Sequence, residues 1–464
     1  MRPLAHGVGG SSDLPLPLDL VLQAGAATVV LSFLIAALWW TTPRLGGGVP
    51  RSVRTAGWLP VLRGLVLLLS LYLVGNALLG PAGGTNPAAY AIFVWLWVGL
   101  VPLSVVSGPV WRAVNPLRTL FRVLRLPAAG LRPGPGWGMW PAVGWLLAFV
   151  WFELVAPGRT EPRVIGWCLV GYAVAQLGMA ALRGEEWFAR GDCFEVYSSL
   201  AGRLSPVRWP RPLSGLAAPF PVAGVGLTAF VAVWWGSTVF DSASGSPVWA
   251  GFVQRAGHPA VVATGALVLI CAGVLLAVRR TAGGLDVTAS LIPIAVGYTL
   301  AHYLSLLIVA APRGVLLLGQ QWGLWAGVGW NVVPIPGVIA GAQVALILAG
   351  HVVGVIVAHD AALAGGSRRS LVSSRVAGDG SSVAGDVSRV AGDGSSVAGD
   401  VSRVAGDGSP VAGDASPVAG EAIGGAARPA RQARPVLVTL ADELPLVLFM
   451  IGCTWAGLFL LFVR

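Results

Sequence analysis

The sequence predicts an all-α, polytopic transmembrane helical bundle of about ten spans, with both termini outside. Three observations predict it. Hydrophobic residues make up 55% of the 464-residue chain and charged residues only 11%. Mean hydropathy is +0.76, a balance no soluble domain keeps. The apolar residues come in runs of about 20, the length a helix needs to cross a hydrocarbon slab.

Met1 to Asp19 is too polar and proline-rich for a signal peptide, so the first run, Leu20 to Trp40, is expected to act as its own uncleaved signal. Further spans are read at Gly64 to Leu79, Ala88 to Val106, Met139 to Ala156, Val164 to Leu182, Ala218 to Thr238 and Pro259 to Val278, then at Ser290 to Ala310, Gly337 to Ala358 and Leu444 to Val463. The organisation expected is an outer tail (1–19), a nine-span membrane domain (20–360), a disordered cytoplasmic linker (361–434) and a tenth helix (435–464). The linker carries the 14-residue unit SRVAGDGSSVAGDV from Ser374 and again from Ser388, with a variant from Ser402. It has too little apolar bulk to bury.

Loop charge sets the orientation. Arg44, Arg51 and Arg54 follow the first span, and Arg112, Arg118, Arg122, Arg125 and Arg132 the third. Arg183, Arg190, Arg203, Arg208 and Arg211 follow the fifth, Arg279 and Arg280 the seventh, and Arg368 onward the ninth. Alternate loops are nearly empty of Arg, so the Arg-bearing loops are expected on the cytoplasmic side of the cell membrane. A net charge of +10 placed this way points to a lipid bilayer and not to nucleic acid. The stretch Trp111 to Leu126 interleaves arginines with Leu117, Leu120, Phe121 and Leu124, a pattern suited to anionic lipid or to a plain topological anchor. Between Gly184 and Arg211, Glu185, Glu186, Asp192 and Glu195 sit among arginines, where internal ion pairs are expected.

All 30 basic residues are Arg, which excludes P-loop, Schiff-base and Ser–Lys chemistry. The 4 cysteines are far apart and lack metal-ligand spacing. No GxSxG, HExxH, GxxxxGK[ST] or strand-borne GxGxxG occurs, so any active site is assembled from several helices. Candidates are therefore the polar groups inside spans, which hydrocarbon makes costly: Asn76, Glu153, Gln176, His302, Gln343 and His351. His6, Asp13, Asp19, Asp241, His258, Gln320 and Gln321 are read in outer segments or at outer span ends.

Glu153 and His302 fall in the outer halves of their spans, within reach of the tail carrying His6. His6, His302 and Glu153 together suit a zinc or copper site; His302 alone also suits a hydrogen-bonded core histidine. His351 and His359 differ by about 12 Å in height and cannot share one ion. His359 with Asp360 marks a helix end, where the dipole favours a cation. The loop Arg313 to Pro336 holds Trp322, Trp325 and Trp330, either as an interfacial belt or as a lid.

Several segments together are familiar: AHGVGGSSDLPLPL from Ala5, WRAVNPLRTL from Trp111, RGDCFEVYSSLAGRLSP from Arg190, YTLAHYLSLLIVAAPRGVLLLGQ from Tyr298 and GHVVGVIVAHDAAL from Gly350. In order and over most of the chain outside the repeat, they resemble a family of polytopic bacterial membrane proteins, common in actinobacteria, labelled fenitrothion hydrolase. The resemblance implies hydrolysis of an organophosphorus triester. A metal held by some of His6, His302 and Glu153 would polarise the phosphoryl oxygen and activate water, with His302 and Glu153 as the catalytic pair. The family's outer loop carries acidic residues after Gly-Gln, including a Trp-Asp pair. Here Asn331 follows Trp330, and no Asp or Glu lies between Gly319 and His351. Two rivals use the same residues differently: a transporter or metal-handling protein, with the polar groups as a path, and an assembly partner whose Arg-rich loops dock other proteins.

Overall fold

In a computed structural model, residues 17–46, 48–51, 57–127, 129–130, 137–222, 224–281, 287–386 and 436–462 are described, with side chains omitted at 366–386 and 436–443. His6, Asp13 and most of the repeat linker lie outside them. Two compact units are distinguished, Met1–Ala364 with Val436–Arg464, and Gly365–Pro435. The first unit holds the membrane helices.

The chain is an all-helical, multi-pass integral membrane protein. Each expected span falls on helix: α1 Leu18–Trp39, α2 Leu59–Leu79, α3 Tyr90–Ser107, α5 Trp140–Leu154, α6 Pro162–Arg183, α8 Val225–Ser244, α9 Pro259–Thr281, the pair α10 Thr288–His302 and α11 Leu304–Gln320, α12 Pro336–Asp386, and α13 Val436–Phe462. Among the shorter helices between the spans are α4 Pro116–Val123 and α7 Cys193–Ala201. Among the described residues, seven helices are long and apolar enough to cross a membrane, or eight with the bent α10–α11 pair as one span. The other two read as spans fall short for physical reasons: α5 has 15 residues, and α8 carries polar side chains in a helix buried on nearly all sides.

Burial separates lipid-facing helices from the centre. α2 and α9 turn Leu65, Leu68, Val261 and Leu269 outward, each more than half exposed, as hydrocarbon-facing helices do. α8 is the hub, packed on α5, α9, α10 and α13. α1 packs on α13, and α2 on α6. Small residues allow the tightest crossing. A Cβ on Gly350 would lie 2.6 Å from the Pro293 carbonyl, one on Gly297 2.6 Å from that of Leu346, and one on Gly354 2.8 Å from that of Ser290. The α10 and α12 backbones therefore touch, as small-xxx-small pairs permit in membranes.

Two spans differ from their sequence reading. The sixth begins at Val225, not Ala218, and continues to Ser244. Prolines 219 and 221 hold its expected start out of the helix, and the later frame draws Asp241 inside. The eighth is not one rod: α10 and α11 are bent by 63° at Tyr303, whose φ of −99° and ψ of 11° lie in the bridge region.

The Arg-bearing loops are built by capping and ion pairs. Asn115 caps α4, accepting from the Leu117 and Arg118 amides, and Asp192 caps α7, accepting from Phe194 and Glu195. The Asn115 amide donates to Asp192 at 2.8 Å, and Arg118 forks onto both Glu195 oxygens at 2.7 Å. Glu185 receives Arg118 at 2.9 Å and Arg122. Burial opposes ionisation of Glu185, yet the two guanidinium groups hold its carboxyl below the usual range. Burial, helped by Glu195, pushes Asp192 up to about 6. In contact with the loop after α1, Asp360 accepts from Trp40 Nε1 at 3.0 Å and from the Arg44 and Leu45 amides. His359 Nε2 meets the Trp40 carbonyl at 2.8 Å. His359 and Asp360 thus fasten the loop after α1.

This packing is testable at two positions. Gly350→Val drives a side chain into the Pro293 carbonyl and is expected to cost about 1–3 kcal/mol, seen as a lower unfolding temperature and lost monodisperse protein in detergent; an unchanged profile contradicts the α10–α12 contact. Asp192 has a folded pKa above its unfolded 3.8, so its contribution is full below about pH 4 and lost as pH rises through about 6. Asp192→Asn keeps a cap and removes the titration. The wild type is expected to lose on the order of 3 kcal/mol relative to this variant between pH 4 and 7, measured as the difference in unfolding temperature across that range.

Candidate intramembrane polar centre

α8, α10 and α11 meet where the eighth span breaks. His302 ends α10 and Tyr303 forms the break, and both side chains reach Asp241 on α8. His302 Nε2 lies 2.8 Å from Asp241 Oδ2, and the Tyr303 hydroxyl donates to the same oxygen at 2.9 Å. On its other side, His302 Nδ1 is 3.0 Å from Ser242 Oγ, which lies 2.8 Å from the Tyr298 hydroxyl. All five side chains are buried, His302 to 2% exposure and Asp241 to 8%.

With Asp241 ionised and His302 neutral, Nε2 carries the proton and Nδ1 accepts from Ser242. The hydrogen bonds then run in one sense, from the Tyr298 hydroxyl to Ser242, to His302, to Asp241. Tyr298 stacks beside the imidazole and Tyr303 packs edge-on at 4.5 Å.

Glu153, on α5, is buried and within electrostatic reach of Asp241, Tyr197 and Tyr303. Tyr197 comes from α7, so the Asp192 cap that starts this helix also delivers a hydroxyl to the bundle core. Its ring stacks on Trp97 at 4.7 Å and meets Trp234 edge-on at 4.5 Å. Trp97 belongs to the π-helical half of α3, Tyr90–Val98, a winding found often at functional sites. Glu153 Oε2 is buried with no hydrogen-bond partner among the described residues, while Tyr197 OH and Trp97 Nε1, which make no bond of full hydrogen-bond geometry, face Trp234 and Tyr303.

The structure therefore brings together Glu153 and His302, both expected, with Asp241, which hydropathy placed at an outer span end. The missed signal was spacing: Tyr298 and His302 are four residues apart on one helical face, and Asp241 is the sole acid of its apolar run. The other candidates lie elsewhere. Asn76 and Tyr72 bind Gln321 Oε1, tying α2 to the end of α11. Gln176 fastens the following loop through the Gly191 carbonyl and Trp187 Nε1. Gln343 donates to the Ala301 carbonyl at 2.9 Å, and His351 Nδ1 faces the Ile347 carbonyl. Trp322, Trp325 and Trp330 are exposed, with Trp330 Nε1 on the Ile308 carbonyl.

Among the described residues, no group of three or more His, Cys, Asp or Glu could hold a metal ion. Both ring nitrogens of His302 are hydrogen-bonded as they stand. The described residues do not by themselves fit a zinc or copper centre; the expected third ligand, His6, lies outside them. No family model, curated protein or solved structure matches the chain.

Proposed function

We propose that the protein is a proton-coupled membrane transporter in which Glu153, Asp241 and His302 hold the moving proton. The observation that carries this reading is the coincidence of a broken span with ionisable groups: the 63° bend falls between the two residues that grip Asp241. Broken helices put binding groups at mid-membrane in transporters, and an intramembrane acid–base cluster is costly unless used. Glu153, with one oxygen unpartnered, accepts a proton. The Asp241–His302 pair exchanges it along the Tyr298–Ser242 hydroxyls, and a change of bend at Tyr303 remakes these contacts.

The test uses the full chain in vesicles with an entrapped pH dye under a potassium diffusion potential, without cargo and with zinc or copper added. Proton entry is expected to be several-fold faster than in vesicles carrying Glu153→Gln or His302→Asn, both near-isosteric and checked for insertion. Equal rates for wild type, variants and protein-free vesicles in every arm sink the proposal. A metal ion held by His6, His302 and Glu153 is the other occupant considered. Stoichiometric zinc or copper in purified protein, lost in the His6→Ala/His302→Ala double variant, puts the metal in place of the proton; metal-free protein removes it.

A second reading, hydrolysis of organophosphorus triesters of the fenitrothion type, has two supports: the family resemblance and the Ser242–His302–Asp241 string. Ser242 Oγ attacks phosphorus, its proton passes to His302 Nδ1, the bond to the aryloxide breaks, and water then cleaves the phosphoserine. Release of nitrophenolate from a nitrophenyl phosphotriester, abolished by Ser242→Ala in a folded variant, establishes this reading; no release above background rejects it. In either case the proposed partner of the Arg-rich loops is anionic lipid: Arg112 and Arg122 keep 52% and 47% of their side-chain surface exposed, whereas Arg118 is taken up by Glu195.

A further inference from the structure

The Arg-bearing ends of α5 and α6 enclose a cavity of about 180 Å³ lined by Trp137, Pro141, Arg183, Glu186, Trp187 and Arg190. Arg183 is the last residue of α6. Its guanidinium lies over the Trp137 ring at 4.0 Å and 5.8 Å from that of Trp187. Aromatic faces hold the guanidinium but satisfy none of its in-plane donors. Nη1 of Arg183 is buried with no hydrogen-bond partner among the described residues.

The neighbouring arginines are occupied. Arg118 and Arg122 are paired with Glu195 and Glu185, and Arg203 donates to the carbonyls of Gly215, Ala218 and Pro219. Among the described residues, no ion pair engages Arg183 or Arg190. The loop thus leaves two guanidinium groups on one cavity, one of them with a donor that is neither solvated nor paired.

The chemistry that satisfies these donors is a phosphate, which accepts two or more charge-assisted hydrogen bonds from guanidinium. The surroundings favour a lipid over a soluble anion. Trp137, Trp140 and Leu182 beside the cavity are 43%, 48% and 45% exposed, an apolar flank at a span end where indole rings sit between headgroup and hydrocarbon. A free phosphate gains nothing from that flank; acyl chains do. We propose that this cavity binds a phospholipid headgroup, Arg183 and Arg190 holding the phosphodiester and Glu186 accepting from a headgroup hydroxyl or ammonium.

The experiment measures thermal unfolding and lipid retained in native mass spectra of the full chain in detergent. Phosphatidylglycerol, phosphatidylcholine and inorganic phosphate are added in separate arms. Phosphatidylglycerol is expected to raise the unfolding temperature and be retained, phosphatidylcholine to do so more weakly for want of a headgroup donor, and inorganic phosphate to have no effect. Arg190→Gln, at an exposed residue, is expected to lower retention about tenfold or more. Arg183→Lys, which keeps the charge but loses the planar fork, is expected to do the same. If Arg183→Lys does not fold, Arg190→Gln decides alone. Equal stabilisation by inorganic phosphate, equal retention of phosphatidylcholine and phosphatidylglycerol with no loss in Arg190→Gln, or no retention at all each overturn the proposal.

Discussion

A carboxylate in hydrocarbon must be surrounded by donors, and the centre of this bundle is arranged around Asp241. Its Oδ2 takes a hydrogen from His302 and another from Tyr303, and those two residues flank the bend in the eighth span. A straight helix places adjacent residues about 100° apart around its axis, too far round for both to meet one oxygen. The bridge-region backbone at Tyr303 turns its side chain back toward Asp241, so the demand of one acid and the bend of one span are a single structural fact. The same demand explains why α8 lies inside the bundle: the polar groups Ser237, Thr238, Asp241 and Ser242 are kept from lipid by α5, α9, α10 and α13.

The loop network carries this constraint outward. α7 has only 9 residues, too few to be stable alone, and is held at its start by Asp192, which also receives the Asn115 amide and the Tyr172 hydroxyl. Glu195, one turn in, is clamped by Arg118. Because that start is secured twice, Tyr197 arrives at a fixed place between Trp97 and Trp234. Arginine therefore does two separable jobs here. Arg118 is structural, whereas Arg112 and Arg122 remain half exposed to whatever lies beyond the loop.

The spans were legible because the bilayer imposes one length and one solvent preference on each, and a run such as Pro259 to Val278 needs nothing else. Glu153 and His302 were legible because an ionisable group stands out against apolar neighbours. Their meeting with Asp241 was not, since it depends on helix packing and on where the sixth span begins. Hydropathy falls after Thr238, which placed Asp241 outside, yet the helix continues because its polar turn is buried by neighbours. The break at Tyr303 was hidden for a related reason: no proline or glycine stands at that position, and the hydrogen bonds that flank it are tertiary. His359 and Asp360 looked like a helix end, but they bind the loop after α1, over 300 residues away, beyond any local pattern.

Stability alone gives no reason for the unpartnered atom beside this centre. A buried polar group without a partner costs about 1–3 kcal/mol, and Glu153 Oε2 is such an atom among the described residues, within electrostatic reach of Asp241. Leu at 153 would fill a similar volume without that cost. A carboxyl oxygen kept unpaired beside an Asp–His pair suits a polar partner that comes and goes, as the proposed function requires. A proton with its water, or the phosphoryl oxygen of a triester, meets that description. A permanently packed core does not, and so the polar centre, more than the lipid-facing helices around it, is where the function of this protein is to be sought.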